Sequence, residues 1–228
     1  MREIVLDIET TGLEFTRGDR IIEVGCVELI NYLPTGNIYQ KYLNPEKNIP
    51  ESAEKVHGLT NDFLKQKPSF KKIVPSFLEF IKKDPLVVHN AEFDLGFINN
   101  ELKINNLSQI NNTIIDTLIM ARKKFPGSPA NLDALCRRFD IDLEVRKKHG
   151  ALIDARLTAK VYLELKGGQQ PNFNLNLTKD ADNKEEKKRT SLKKKKWEER
   201  VYSLSDEESE RHKKFIKKIK SPIWNLYN

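Results

Sequence analysis

Two cysteines in 228 residues are too few for a disulfide framework. Cys26 and Cys136 each sit inside an apolar pattern, which points to a reducing compartment and gives no support to a zinc site. No apolar run approaches membrane-spanning length. Met1-Arg2-Glu3-Ile4 leads straight into a strand pattern, without a charged-then-apolar leader. A soluble cytoplasmic protein with no membrane partner is therefore expected. An excess of one charge is also lacking from most of the chain. The formal net charge is +7 and the pI near 9.2, yet residues 1–166 hold 24 Lys and Arg against 23 Asp and Glu, and the remainder 16 against 10. The basic character belongs to the tail, so overall pI says little about how the larger part grips a ligand.

What is present reads first as alternation. Ile4 to Ile8 and Arg20 to Ile30 alternate as strands, and Ile38 to Leu43 returns as a third, forming an antiparallel meander. From Pro50 the texture turns helical. Phe70, Ile73, Val74, Phe77, Leu78 and Ile81 recur at steps of three and four, with Pro75 set to kink or split that helix. Leu86-Val87-Val88 is a short buried strand, after which Asn90 can cap a helix carrying Phe93, Phe97, Ile98 and Leu102. Ile114-Ile115 repeats the theme with Asp116 as cap. Pro126-Gly127-Ser128-Pro129 is a loop, Asn131 caps a helix from Leu132 to Phe139, and a last helix runs from Ala151 to Leu165 before Gly167-Gly168 stops it. The order predicts an α/β fold: a mixed five-stranded sheet, an antiparallel meander plus two further strands, flanked by helices.

After Gly168 the composition turns to Gln, Asn, Pro, Lys and Glu, too polar to order itself by burial. The expected division is a domain at 1–168, a flexible basic linker at 169–203 and a C-terminal segment at 204–228. In that segment Ser205 and Glu208 form a capping box, acids fill the first turn, and Phe215, Ile216 and Ile219 line one face. The basic runs Lys187-Lys188-Arg189 and Lys193 to Lys196 are either a nucleic-acid patch or solvated linker.

The chemistry lies in carboxylates. On the first strand Val5, Asp7 and Glu9 share one face. Two adjacent acids in so apolar a strand are costly to desolvate and raise each other's pKa unless a cation offsets them. Asp94 falls in the first turn of the helix after Val88, and Asp154 in the first turn of the last helix. His149 precedes Gly150 and projects from the loop before that helix.

Asp7-Ile8-Glu9-Thr10-Thr11-Gly12, His89-Asn90-Ala91-Glu92-Phe93-Asp94 and His149-Gly150-Ala151-Leu152-Ile153-Asp154 resemble, in order, the three motifs of the DEDD exonuclease superfamily, histidine branch. Within it, His149 to Ala155 and Leu165-Lys166-Gly167-Gly168-Gln169 are most similar to the epsilon-subunit family of bacterial DNA polymerase III. The likeness covers about residues 2–170. It implies a ribonuclease-H-like fold and an exonuclease domain at 1–168 that removes nucleotides from a DNA 3′ end. By the same resemblance Asp7, Glu9, Asp94 and Asp154 hold two divalent cations, Mg2+ or Mn2+, about 4 Å apart, and His149 is the catalytic base. Asp7, Glu9, Asp154, Thr10, Thr11, Gly12, Leu13 and His57 would contact the last nucleotide. Thr10 and Thr11 are alternatively an ordinary turn, and Asn90 and Phe93 serve either as contacts or as cap and core.

The resemblance also assigns the 204–228 segment to anchoring on the polymerase catalytic (alpha) subunit. Gln170-Pro171-Asn172-Phe173-Asn174-Leu175 partly resembles a sliding-clamp motif. The rivals are an RNA-directed exonuclease of the same superfamily and a catalytically silent polymerase adaptor. If His149 is the base it must be neutral, so turnover should rise from mildly acidic to alkaline conditions; a rate flat from about pH 6 to about pH 9 would contradict that role.

Overall fold

The computed structural model describes residues 1–144, 149–168 and 205–219. The chain divides into two units, Met1–Leu175 and Asn176–Asn228. The expected linker 169–203, the clamp-like segment 170–175, both basic lysine runs and residues 220–228 lie outside the described residues. No helix among the described residues is long and apolar enough to cross a membrane.

In the first unit β1 (Arg2–Thr10), β2 (Ile21–Ile30) and β3 (Leu33–Tyr42) form the antiparallel meander, and β4 (Leu86–Val88) and β5 (Ile114–Asp116) add parallel strands in the order β3-β2-β1-β4-β5. The helices are α1 (Glu51–His57), α2 (Asn61–Lys65), α3 (Phe70–Ile81), α4 (Ala91–Ile104), α5 (Thr117–Lys124), α6 (Leu132–Arg138) and α7 (Ala151–Leu165). The mixed five-stranded sheet flanked by helices is as the element order implied.

Period-two alternation in β1 sorts two cores. Ile4, Leu6 and Ile8 pack with Phe70, Phe77 and Ile81 of α3 and Phe97 and Leu102 of α4. Val5 packs on the other face with Val27, Val87 and Leu152, Ala155, Ala159 and Tyr162 of α7. Asp7 and Glu9 follow Val5 at two-residue steps, so they turn toward the α7 side.

Two local expectations need correction, and the alternatives left open at Pro75 are narrowed. The third strand begins at Leu33, not Ile38. Asn31 and Tyr32, both at positive φ, close a tight hairpin of the kind that matches strand twist, and Leu33 to Asn37 are exposed, so apolar alternation could not mark them. Pro75 does not split its helix, since α3 is continuous across it. Asn90 occupies the position before α4 in a left-handed conformation, and its side chain makes no capping bond. By contrast Asp116 and Asn131 cap α5 and α6 as expected.

In the second unit, α8 (Asp206–Ile216) carries the expected capping box between Ser205 and Glu208.

One ion pair fastens the start of β2 to α4. The Arg20 guanidinium donates to Glu101 through Nε at 2.6 Å and Nη2 at 2.9 Å, and the Glu101 side chain is buried. The pairing holds the Arg20 guanidinium above its ordinary pKa, against the opposing effect of its burial. Arg20→Met would leave that carboxylate buried without its cation, and should lower unfolding free energy by about 3 kcal/mol. Urea denaturation at neutral pH measures this, and a loss below about 1 kcal/mol would mean the carboxylate rehydrates.

Candidate active site

At the carboxyl end of β1 a cleft of about 510 Å3 is lined by Asp7, Glu9, Asp94, Asp154 and His149, with Thr10 to Leu13 on one side and Ser52, Val56 and His57 of α1 on another. Residues up to 147 positions apart along the sequence, from Asp7 to Asp154, thus meet in one place.

Asp94 is 3% exposed, and its Oδ1 accepts the Ile8 amide at 3.1 Å. Burial pushes its carboxyl well above the ordinary range; the Ile8 amide opposes this and the charge of Asp116 adds to it. Asp154 is also buried, in the first turn of α7. His149 stands ahead of that helix, with Nδ1 3.4 Å from Asp154 Oδ2 and its amide donating to the Val56 carbonyl at 3.2 Å. One ligand atom from each of Glu9, His149 and Asp154 lies within 4.8 Å of the others. Oxygen donors beside a buried, strained carboxylate suit a hard divalent cation, which would offset the cost of ionising Asp94.

The α4 end of the site is set from a distance. Asp116 accepts from the amides of Asn90 at 3.3 Å and Ala91 at 3.0 Å, and also from Leu118 at 2.8 Å and Ile119 at 3.3 Å. One carboxylate therefore caps both α4 and α5. Sequence periodicity offers Asp116 only as the cap of the helix it precedes, which is why its hold on α4 was missed.

The loop between β1 and β2 is closed on itself. Thr10 Oγ1 donates to the Gly12 carbonyl at 2.6 Å; Thr11 Oγ1 donates to Asp19 at 3.2 Å and accepts from the Arg20 amide. Asp19 also accepts from the Glu14 amide and the Lys47 ammonium, which hold its carboxyl below the usual range against its partial burial. A Cβ on Gly12 would fall 2.2 Å from an Asp19 oxygen, so any other residue there requires the Asp19 carboxylate to move out of this network. Both threonines are buried, and their hydroxyls serve the turn. The amides of Gly12 and Leu13 donate to no main-chain carbonyl among the described residues. Leu13 is 81% exposed at the rim.

His57 is buried in the wall, its Nδ1 accepting the Leu59 amide at 3.0 Å, which assigns the ring proton to Nε2. Phe93 lines the cleft and packs on Phe97 at 4.9 Å between centroids. Asn90 does not line it and faces a neighbouring groove beside Ile114 to Asp116. Ser52, Val56, His89 and Leu132 also line the cleft. His89 sits where the second motif begins, Nδ1 2.9 Å from Thr117 Oγ1. The others carry no chemical signature in a sequence.

Residues 4–162 match the Exonuclease family, RNase_T. A DNA polymerase III subunit epsilon of Rickettsia felis is 44% identical over 232 residues, spanning 96% of this chain and 97% of that relative. The chain belongs to the exonuclease family, among the DNA polymerase III epsilon subunits. The epsilon subunit of Buchnera aphidicola from Acyrthosiphon pisum is 43% identical and spans 100% of the chain and 98% of its own length. Among solved structures, the nuclease domain of 3'hExo, a DEDDh family member bound to rAMP, superposes with a TM-score of 0.62 at 18% identity, covering 75% of this chain and 94% of that one. At that identity the likeness supports the exonuclease fold.

The buried Asp94 generates a test. With its folded pKa raised, the folded protein keeps a proton that the unfolded chain releases above about pH 4, so stability falls as pH rises through the shifted value. In chelator, Asp94→Asn should therefore melt above wild type at pH 8, with the difference shrinking toward pH 4, and should lose most of any melting increase caused by Mn2+. A variant that melts below wild type at pH 8 would show that Asp94 is not strained.

Proposed function

We infer that this chain removes mispaired nucleotides from DNA 3′ ends as the proofreading subunit of a replicative DNA polymerase. The observation that carries this is the meeting of Asp7, Glu9, Asp94, Asp154 and His149 in one cleft, in a chain akin to epsilon subunits along nearly its whole length.

Asp7, Glu9, Asp94 and Asp154 would hold two divalent cations, Mg2+ or Mn2+. When bound, such ions acidify the attacking water and neutralise charge on the departing 3′ oxygen. His149 takes the proton of the water as its oxygen attacks phosphorus in line. The bond to the 3′ oxygen breaks, that oxygen is reprotonated, and a nucleoside 5′-monophosphate leaves. Gly12 and Leu13 meet the last nucleotide, the leucine as an apolar wedge, and His57 and Phe93 offer ring faces to an unpaired base. Nothing among these contacts reads base edges, so mispaired ends are preferred because they fray.

Residues 1–168 serve as the exonuclease domain, 169–203 as linker and 204–228 as anchor on the alpha subunit. In α8, Phe215 is 60% exposed on a short helix with no buried residue, the state of a segment that gains its core from a partner. Residues 170–175 are the candidate clamp contact.

The test is degradation of 5′-labelled single-stranded DNA and RNA with Mg2+ or Mn2+. Wild type should give a ladder shortening from the DNA 3′ end, abolished by chelator and reduced at least about a hundredfold by Asp7→Ala. Faster loss of RNA than DNA would favour the exoribonuclease, and no cleavage of either the silent adaptor. Truncation after 168 should keep this activity but no longer co-elute with the polymerase catalytic subunit; co-elution of the truncated domain would sink the anchoring role.

A further inference from the structure

We propose that Glu23 is a positioning residue: from β2 it seats the first turn of α7, and so sets where Asp154 and His149 stand relative to Glu9. This role rests on the exonuclease activity inferred above.

Glu23 lies directly across from Glu9 in the β1–β2 register, yet it does not line the cleft. It is 2% exposed in the middle of an apolar strand, a costly place for a carboxylate without a task. Its Oε2 accepts the Ala151 amide at 3.1 Å, and its Oε1 accepts Gln40 Nε2 at 2.7 Å. The Gln40 amide also donates to Tyr42 Oη at 3.1 Å, so neighbouring β3 braces the carboxylate.

The start of α7 needs such an acceptor. Its N-cap is Gly150, which offers no side chain, so one of the helix's unpaired amides is satisfied from another strand. Gly25, two residues along β2 on the same face, makes the approach possible. A Cβ there would lie 2.3 Å from the Leu152 nitrogen and 2.4 Å from the Ala151 carbonyl carbon. The first turn of α7 thus rests backbone against backbone on β2, fixed sideways by Glu23. Asp154 is three residues past Ala151, within that same turn, and His149 two residues before the helix. The 4.8 Å grouping of Glu9, His149 and Asp154 is therefore a property of how α7 sits on β2.

The hydrogen bond, rather than the charge, is what this role requires. In full-length protein, Glu23→Gln keeps an acceptor oxygen and should stay within about threefold of wild type. Glu23→Ala should lower kcat about a hundredfold with KM for single-stranded DNA nearly unchanged, and should raise the half-saturating Mn2+ concentration at least about tenfold. Gln40→Ala, at a half-buried edge-strand position, should shift both readouts the same way by less, and carries the test if Glu23→Ala does not fold. Mn2+ saturation is also followed by thermal shift, which judges the seat even if wild type cleaves neither DNA nor RNA, the result that would overturn the activity itself. The proposal is overturned if Glu23→Gln is as impaired as Glu23→Ala, since charge would then be the requirement. It is equally overturned if the alanine variants that fold keep wild-type metal demand and kcat, since packing alone would then hold α7.

Discussion

The convergence of four carboxylates on one cleft is the constraint on which the rest of this structure depends. Asp94 and Asp154 are buried there and Asp7 and Glu9 half-buried, and taking carboxylates out of water is costly. A chain that keeps them together without a cation must fix their backbones by other means. β1 supplies two from one face, and α4 and α7 each bring one in a first turn, where the helix dipole favours negative charge. Such an arrangement is well disposed toward a hard divalent ion.

The supports share one physical device, a side-chain carboxylate that accepts main-chain amides. Asp116 holds the amides that open α4 and α5, Glu23 the amide that opens α7, and Asp19 the Glu14 amide in the loop beside the cleft. Amide positions are rigid, so such bonds transmit geometry more faithfully than contacts between long side chains. The Arg20–Glu101 pair then locks the loop's exit to the body of α4. The threonines of that loop spend their hydroxyls on the same closure, and the Leu13 side chain is left exposed beside the cleft.

Much of this was legible because burial imposes period. Ile4, Leu6 and Ile8 against Val5, Asp7 and Glu9 announce a strand between two cores, and the spacing of Phe70 to Ile81 announces α3 despite Pro75. The start of β3 was not legible, since Leu33 to Asn37 are exposed and show no contrast between faces. Capping preference describes a helix by itself; here Asn90 is left-handed and makes no side-chain cap, and Asp116 from the end of β5 accepts the Asn90 and Ala91 amides. In the sequence Glu23 is one acid among apolar residues. Its meaning depends on which helix lies above it.

The sequence by itself determined the α/β order, the two-faced β1, the five candidate site residues and the kinship with epsilon subunits. Each of these follows from local alternation, from helix-end chemistry or from ordered motifs, which a linear chain displays directly. Only the tertiary structure decided that Glu9, His149 and Asp154 come within 4.8 Å, that Asp94 is buried deeply enough to resist ionisation, that Asn90 lines a neighbouring groove and not the cleft, and that Glu23 and Gly25 bear α7. Those facts depend on the register of β1 against β2 and on the approach of α7. The second arises from packing between segments more than 100 residues apart, as Glu23 and Ala151 are.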